Sequence, residues 1–139
     1  MKKTVFSLAI IMALVFTGMQ SAIAQISVEV TWTLCDDTCF TWDDCRYRAD
    51  VIVYNQCGEE QFEMCKSFET ADCWETSATV DLDCSCLDTS TEPCYLVVVT
   101  VHKLCIGHGG TITVCSGYGY DHFTCGELMN GVSVESTWQ

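Results

Sequence analysis

Twelve cysteines constrain the fold of this chain more than any other feature of its sequence. They are Cys35, Cys39, Cys45, Cys57, Cys65, Cys73, Cys84, Cys86, Cys94, Cys105, Cys115 and Cys125. Their number is even and their density is typical of secreted scaffolds, so the sequence predicts six structural disulfides. No two are separated by two residues, and the C-x-x-C pattern of zinc ribbons and redox sites is therefore absent.

The pairing of these cysteines cannot be derived from the sequence. One local constraint applies to Cys84 and Cys86, which are two residues apart in a strand-like run and should point to the same face. We therefore expect each of the two to bond to a different cysteine elsewhere in the chain.

The first 24 residues have the three parts of a secretory signal peptide. Lys2 and Lys3 are followed by an apolar stretch from Val5 to Phe16 and by the small-x-small site Ala22-Ile23-Ala24. The sequence thus predicts a signal peptide over 1–24, cleavage before Gln25, a single domain over 25–139, and a secreted, extracellular protein. No later segment is long and apolar enough to span a membrane, so we expect no membrane insertion.

The charge of the chain is strongly acidic. The formal net charge is −13, and loss of Lys2 and Lys3 with the signal peptide would make it −15. Such a chain should repel nucleic acid and anionic membranes, and should attract cations or basic partners. Solubility after export is the simpler explanation of the same charge.

Alternating apolar residues predict β-strands along most of the chain. Ile26 to Leu34 alternates without interruption, and similar patterns cover Tyr47 to Tyr54 and Ser77 to Cys86. Tyr95 to Val101 is apolar at both alternating positions, which predicts a central strand covered on two faces. Gly107 to Gly110 then predicts a hairpin turn.

Two segments leave alternatives open. Gln61 to Phe68 fits either a strand or a short helix, with a connection expected from Glu69 to Glu75. Gly117 to Tyr120 fits either a bulged strand or a loop, and Val132 to Trp138 predicts the last strand. The sequence therefore predicts an all-β, disulfide-rich antiparallel β-sandwich of seven or eight strands.

A short motif recurs at the two ends of the mature chain. Ser27-Val28-Glu29-Val30-Thr31-Trp32 matches Ser133-Val134-Glu135-Ser136-Thr137-Trp138 with one difference. Two similar strands built from the same β-favouring residues would explain the match. The alternative is that a terminal strand of one molecule completes the sheet edge of the next, with Val28, Val30, Trp32, Val134 and Trp138 facing the core.

An acidic loop follows the first predicted strand and is the candidate metal site. Asp36, Asp37, Asp43 and Asp44 lie among three cysteines and offer the hard oxygen ligands that Ca²⁺ takes. The EF-hand pattern is missing, so a solvated acidic loop explains the residues equally well. No cofactor other than Ca²⁺ is expected.

No set of residues predicts catalysis. His102, His108 and His122 lack a free thiol or a G-x-S-x-G motif beside them, so we expect no enzymatic activity. Trp42, Trp74, Tyr118 and Tyr120 are candidates for an exposed sugar- or protein-binding surface, with core packing as the simpler alternative.

These observations favour a secreted, non-enzymatic structural protein. The interpretation is a self-assembling subunit of an extracellular filament or surface layer, a homo-oligomer or polymer that uses terminal-strand exchange. One alternative is a Ca²⁺-assisted binding or adhesion module that recognises an extracellular protein or a glycan. Another is a small secreted inhibitor or toxin.

Overall fold

The strand that contains the apolar run Tyr95 to Val101 lies in the middle of the larger of two β-sheets. The computed structural model describes residues 25–87 and 91–139; the predicted signal peptide lies outside them. Eight strands and one short helix follow in chain order. They are β1 (Ile26–Thr31), β2 (Asp44–Asn55), β3 (Phe62–Asp72), β4 (Ser77–Leu82), β5 (Tyr95–Gly107), β6 (Gly110–Phe123), α1 (Cys125–Met129), β7 (Val132–Glu135) and β8 (Thr137–Trp138).

The strands form two sheets that enclose one core. The five-stranded sheet has the order β3-β2-β5-β6-β8, and the three-stranded sheet has the order β4-β1-β7. Neighbouring strands are antiparallel except for β1 and β7, which run parallel. The predicted disulfide-rich all-β sandwich is confirmed, with this one parallel pair as a departure from a purely antiparallel order.

Alternate residues of the central strands supply the core. The fully buried side chains of β1, β2 and β5 are Ile26, Val28, Val30, Tyr47, Ala49, Val51, Val53, Val97, Val99, Val101 and Cys105. β-branched side chains suit such positions because their restricted χ1 costs little on a pleated sheet. Each buried Val or Ile contributes about 1.5–3 kcal/mol relative to an exposed one.

The prediction that β5 is covered on both faces is wrong for one of them. Leu96 and Val98 point away from the core and are only half-buried. The second sheet covers the inner face alone, and no other element of residues 25–87 and 91–139 forms a layer over the outer face. The apolar character of both faces of β5 is therefore not explained by packing within the described part of the chain.

The twelve cysteines form six bridges. The pairs are Cys35–Cys115, Cys39–Cys105, Cys45–Cys73, Cys57–Cys94, Cys65–Cys84 and Cys86–Cys125. Cys84 and Cys86 bond to different, distant partners, as their spacing predicted. Both follow β4, which ends at Leu82, earlier than the alternation suggested.

The two ambiguous segments are strands. β3 continues to Asp72, beyond the expected start of the connection at Glu69, and β6 runs through Gly117 to Tyr120. Helix α1 was not predicted. Its signal was present, because Thr124 caps the backbone N–H of Glu127 while the Glu127 side chain accepts from the Thr124 N–H.

Two glycines of β6 make room for the end of the chain. The segment between β7 and β8 crosses from one sheet to the other at Ser136, directly over Gly117 and Gly119. A Cβ atom at Gly117 would lie 2.6 Å from Ser136 Oγ, and one at Gly119 would overlap the Glu135 carbonyl oxygen. Gly119 is thus required by a close approach of backbone to backbone, and Gly117 leaves room for the side chains of Ser136 and Trp138.

Replacing Gly119 with alanine should destabilise the protein by about 1–3 kcal/mol, because the methyl group displaces the crossing segment. Gly58→Ala is the matched control, since nothing lies within 4 Å of a Cβ atom there. Thermal melting followed by circular dichroism measures both. Equal melting temperatures for the two variants would contradict the close approach.

Candidate self-assembly site

Strand β1 lies between two neighbours that both depend on it. Its residues pair with β4 on one side, where Val28 lies opposite Val80, and with β7 on the other, where Val28 lies opposite Val132. Neither β4 nor β7 pairs with another strand of the described chain. Removing β1 would therefore leave a slot between β4 and β7. The strand edges on both sides of this slot would be unpaired, and the core beneath it would be uncovered.

Strand β1 is also outside the disulfide network. The six bridges span residues 35 to 125, and β2 to β6 all lie within that span. Among the strands of residues 25–87 and 91–139, only β1, β7 and β8 lie outside it. The central strand of the smaller sheet is thus held by hydrogen bonds and packing alone, while the slot that it fills is bordered on the β4 side by a covalently restrained strand.

The inward side chains of β1 occupy the core. Ile26, Val28 and Val30 are fully buried, and Trp32, just after the strand, is 4 % exposed. Thr33 and Leu34 follow and are exposed. The next residue, Cys35, is fixed by its bridge to Cys115. We call the two-residue connection Thr33-Leu34 the hinge.

The two copies of the repeated motif are neighbours in one chain. Their parallel pairing places Val30 opposite Val134, and the Ser136 N–H donates to the Thr31 carbonyl at 2.8 Å. The rings of Trp32 and Trp138 both lie against Tyr47, with centroids 5.3 and 6.0 Å away. The structure thus brings together Val28, Val30, Trp32, Val134 and Trp138 within the same molecule.

A buried lysine fixes the chain just beyond the hinge. Lys103 faces inward from β5 and is 8 % exposed; its ammonium donates to the carbonyls of Cys35 and Asp37. The Tyr47 hydroxyl accepts from the Cys35 N–H at 3.0 Å. Sequence reasoning missed Lys103, although it occupies an inward position in the alternation of Tyr95, Val97, Val99 and Val101.

Three of the four aspartates predicted to hold Ca²⁺ have separate neighbours, and the fourth, Asp36, is exposed. Asp44 pairs with Arg46 at 3.1 Å, and the Arg46 guanidinium lowers the pKa of the Asp44 carboxyl. Asp43 lies 3.5 Å from His108, Asp36 is exposed, and Asp37 approaches the sulfur of Cys115 at 3.4 Å. Within residues 25–87 and 91–139, no three of these carboxylates have ligand atoms close enough to share one ion.

Calcium binding therefore stays a prediction of the acidic loop. The one group of close ligand atoms found in the described residues is Cys35, Asp37 and Cys115, and its two sulfurs are bonded to each other. If the loop binds Ca²⁺, the melting temperature should rise with added Ca²⁺, and Asp36→Asn combined with Asp43→Asn should abolish the rise. An unchanged melting temperature in the unmodified protein would contradict the prediction.

The histidines lie apart from one another. His102 Nδ1 is 2.8 Å from Ser116 Oγ, and His122 Nε2 is 3.3 Å from Gln56 Oε1. The candidate surface aromatics are also divided. Trp42 packs against Gly107, Trp74 is exposed on a loop, and Tyr118 and Tyr120 project from the outer face of the five-stranded sheet.

No protein-family model, curated protein or solved structure matches this chain. No helix within residues 25–87 and 91–139 is long and apolar enough to cross a membrane. The six bridges fit an extracellular or secreted protein, because disulfides persist in oxidising compartments.

Proposed function

We propose that this protein is a secreted, non-enzymatic structural subunit that assembles by passing β1 to the next copy. In the assembly, β1 of each molecule fills the slot between β4 and β7 of its neighbour. One observation carries the proposal: β1 is the central strand of its sheet, yet it lies outside the disulfide-linked part of the chain.

The position of the hinge supports the transfer of β1 to a neighbouring molecule rather than its mere detachment from its own sheet. Thr33 and Leu34 connect β1 to Cys35, which is anchored by its bridge, by Lys103 and by Tyr47. A rotation at this short, exposed connection carries the whole strand away from its own core while Cys35 stays anchored. It separates β1 from β4 and β7 and breaks the hydrogen bond from Trp138 Nε1 to the Thr33 carbonyl. Short hinges of this kind favour exchange because the strand reaches a neighbour's slot more easily than it folds back.

Exchange of this kind produces an open assembly when each copy donates β1 to one neighbour and accepts β1 from another. The donated strand and the accepting slot are different surfaces of the molecule, so this contact is head-to-tail, whereas reciprocal exchange between two copies would close as a dimer. Every copy keeps its hydrogen bonds and its buried Ile26, Val28, Val30 and Trp32, now supplied by a neighbour. A filament or layer therefore forms at little cost in contacts, and the bridges make each subunit resistant to unfolding.

Bridging β1 to its own β4 should prevent the large species. Ser27 lies directly opposite Asp81, and their side chains are hydrogen-bonded at 2.8 Å. Cysteines at opposite positions of antiparallel strands fall within the geometry of a disulfide, so S27C/D81C retains β1 in its own slot when it is oxidised as a dilute monomer and runs as a monomer on a non-reducing gel. Light scattering of the mature, oxidised protein should give large species for the unmodified chain and none for this bridged variant.

The variant S27A/D81A is the matched control, because it loses the same hydrogen bond without gaining a bridge. We expect it to assemble like the unmodified protein. Large species of equal size in the bridged variant would contradict strand exchange, and an unmodified protein that stays small at high concentration would contradict self-assembly by β1.

A further inference from the structure

The outer face of the five-stranded sheet combines a groove with protruding aromatic rings. Cross-strand pairing arranges its central residues in two rows, Phe68-Asp50-Thr100-Tyr118 and Lys66-Ile52-Val98-Tyr120. A groove of about 360 Å³ lies over β2 and β3, lined by Arg48, Asp50, Ile52, Lys66 and Phe68 among others. On the other side of β5, Tyr118 and Tyr120 protrude and are 40 and 61 % exposed.

This face is close to neutral in a chain that is otherwise strongly acidic. Arg46, Arg48 and Lys66 project from it, and the mature part has one further basic residue, the buried Lys103. Arg48 pairs with Asp50 at 2.8 Å, Lys66 with Glu63 at 3.3 Å, and Arg46 with Asp44 at 3.1 Å. The general repulsion between two copies of an acidic chain is therefore weakest at this surface.

The dimensions of the face match those of a protein interface. Four strands at about 4.8 Å spacing, each with about eleven residues rising about 3.3 Å, present roughly 700 Å². A stable interface buries about 800 Å² on each partner. Its centre carries the apolar Ile52, Leu96 and Val98, and β5 is apolar on both sides, as in strands that are covered on both faces.

We propose that a second copy of this chain covers the face in a two-fold dimer, with the axis running along β5. β2 and β6 flank β5 on opposite sides, so this axis places β6 of each copy over β2 of the other. The shared rows then set Tyr118 over Asp50 and Tyr120 over Ile52, beside the groove of the other copy. The contact is self-complementary, and it closes with two molecules.

The ring geometry favours a protein partner over a glycan. Tyr118 and Tyr120 are inclined by 49°, and Tyr120 meets His122 edge-on at 88°. A row of sugar rings would need a flat platform, whereas inclined side chains suit insertion into a groove. Arg48 already stacks over Phe68 at 3.9 Å and offers an aromatic and cationic wall to an incoming tyrosine.

The proposal does not rest on strand exchange, and the bridged variant S27C/D81C separates the two. In that background, analytical ultracentrifugation at physiological salt should give a dimer. Tyr120→Lys and Ile52→Glu should each weaken the dimer by at least about thirtyfold, as loss of a central contact does. Trp74→Lys is the control, because Trp74 is exposed, follows the end of β3 and belongs to neither row, so its replacement should leave the dimer intact.

Mixing the two single variants tests the placement of the axis. A heterodimer of I52E with Y120K contains one unmodified contact and one new ion pair, so mixing should restore the dimer. A bridged variant that stays monomeric, or dimers that persist in both single variants, would overturn the proposal. A mixture that remains monomeric would overturn the two-fold placement. If the bridged variant is a monomer, and a glycan raises its melting temperature but not that of its Y120K form, the face would be assigned to that glycan instead.

Discussion

A mature chain that begins at Leu34, without β1, should lose its cooperative thermal transition and regain it when the missing strand is added as a peptide. The deletion removes Ile26, Val28, Val30 and Trp32 from the core. Burial of these four side chains is worth together roughly 6–12 kcal/mol, which is comparable to the whole stability of a typical domain. The nine-residue peptide Gln25–Thr33 supplies the same side chains and both rows of strand hydrogen bonds.

The peptide should bind the truncated chain tightly and restore the melting transition seen in the complete protein. A peptide carrying Val28→Asp and Val30→Asp is the matched control, since it keeps the length but places carboxylates where the core is fully buried. Circular dichroism and titration calorimetry measure the effect. A truncated chain that folds alone, or that ignores the unmodified peptide, would show that the slot does not accept a strand from outside.

Full reduction of the six disulfides should unfold the protein at 25 °C. In the chain-entropy account, the bridge Cys65–Cys84, with a separation of 19 residues, contributes about 3 kcal/mol. The bridge Cys35–Cys115, with a separation of 80, contributes about 4.5 kcal/mol. Either bridge, formed alone, is thus a large share of the usual domain stability of about 5–15 kcal/mol.

The two bridges also permit a matched comparison. C35A/C115A should lower the melting temperature more than C65A/C84A, because it releases the anchor beyond the β1 hinge; loop length does not favour either variant, since Cys39–Cys105 still closes most of the 35–115 loop. Near-ultraviolet circular dichroism of reduced, alkylated protein follows the loss of tertiary structure. A reduced chain that still melts cooperatively would contradict the account, as would a greater effect of the shorter bridge.

The strands of the sandwich could be predicted because their side chains alternate with little interruption. Ile26 to Leu34, Tyr47 to Tyr54 and Ser77 to Cys86 each predicted a strand. The strands present there are Ile26–Thr31, Asp44–Asn55 and Ser77–Leu82, so the first and third end earlier than the alternation suggested. The sheet order could not be predicted in the same way. Alternation specifies which face is buried, but not which strand lies beside it, and the parallel pairing of β1 with β7 has no local signal.

The candidate site was partly visible in the sequence. The repeated motif pointed to Val28, Trp32, Val134 and Trp138, and these residues are close together. Their arrangement within one chain depends on the crossing at Ser136, which requires Gly117 and Gly119 on a different strand. Contacts between segments that are distant in sequence depend on the fold as a whole. The exclusion of β1 from the bridges, by contrast, was visible in the sequence, because the first cysteine is Cys35.

The four aspartates illustrate the opposite case. Closeness in sequence suggested that the four aspartates share one ion. In the structure, Asp43 lies beside His108 and Asp44 pairs with Arg46. Charged side chains on a loop follow the nearest opposite charge, and the position of Arg46 two residues after Asp44 was visible in the sequence. A prediction based only on the spacing of the aspartates ignored the basic side chains that compete with Ca²⁺ for their carboxylates.

The exchange of β1 between molecules is tested most directly by isotope-labelled mixtures. The variant T79K places an amine opposite Glu29 across the β1–β4 pair, at exposed positions. Heavy and light chains of this variant are assembled together, and a carbodiimide then joins the introduced amine to the Glu29 carboxylate as an amide, with loss of water. Mass spectrometry of the large species should find heavy-to-light linked peptides from β1 and β4. If only heavy-to-heavy and light-to-light pairs occur, each molecule keeps its own β1, and the proposed mode of assembly is contradicted.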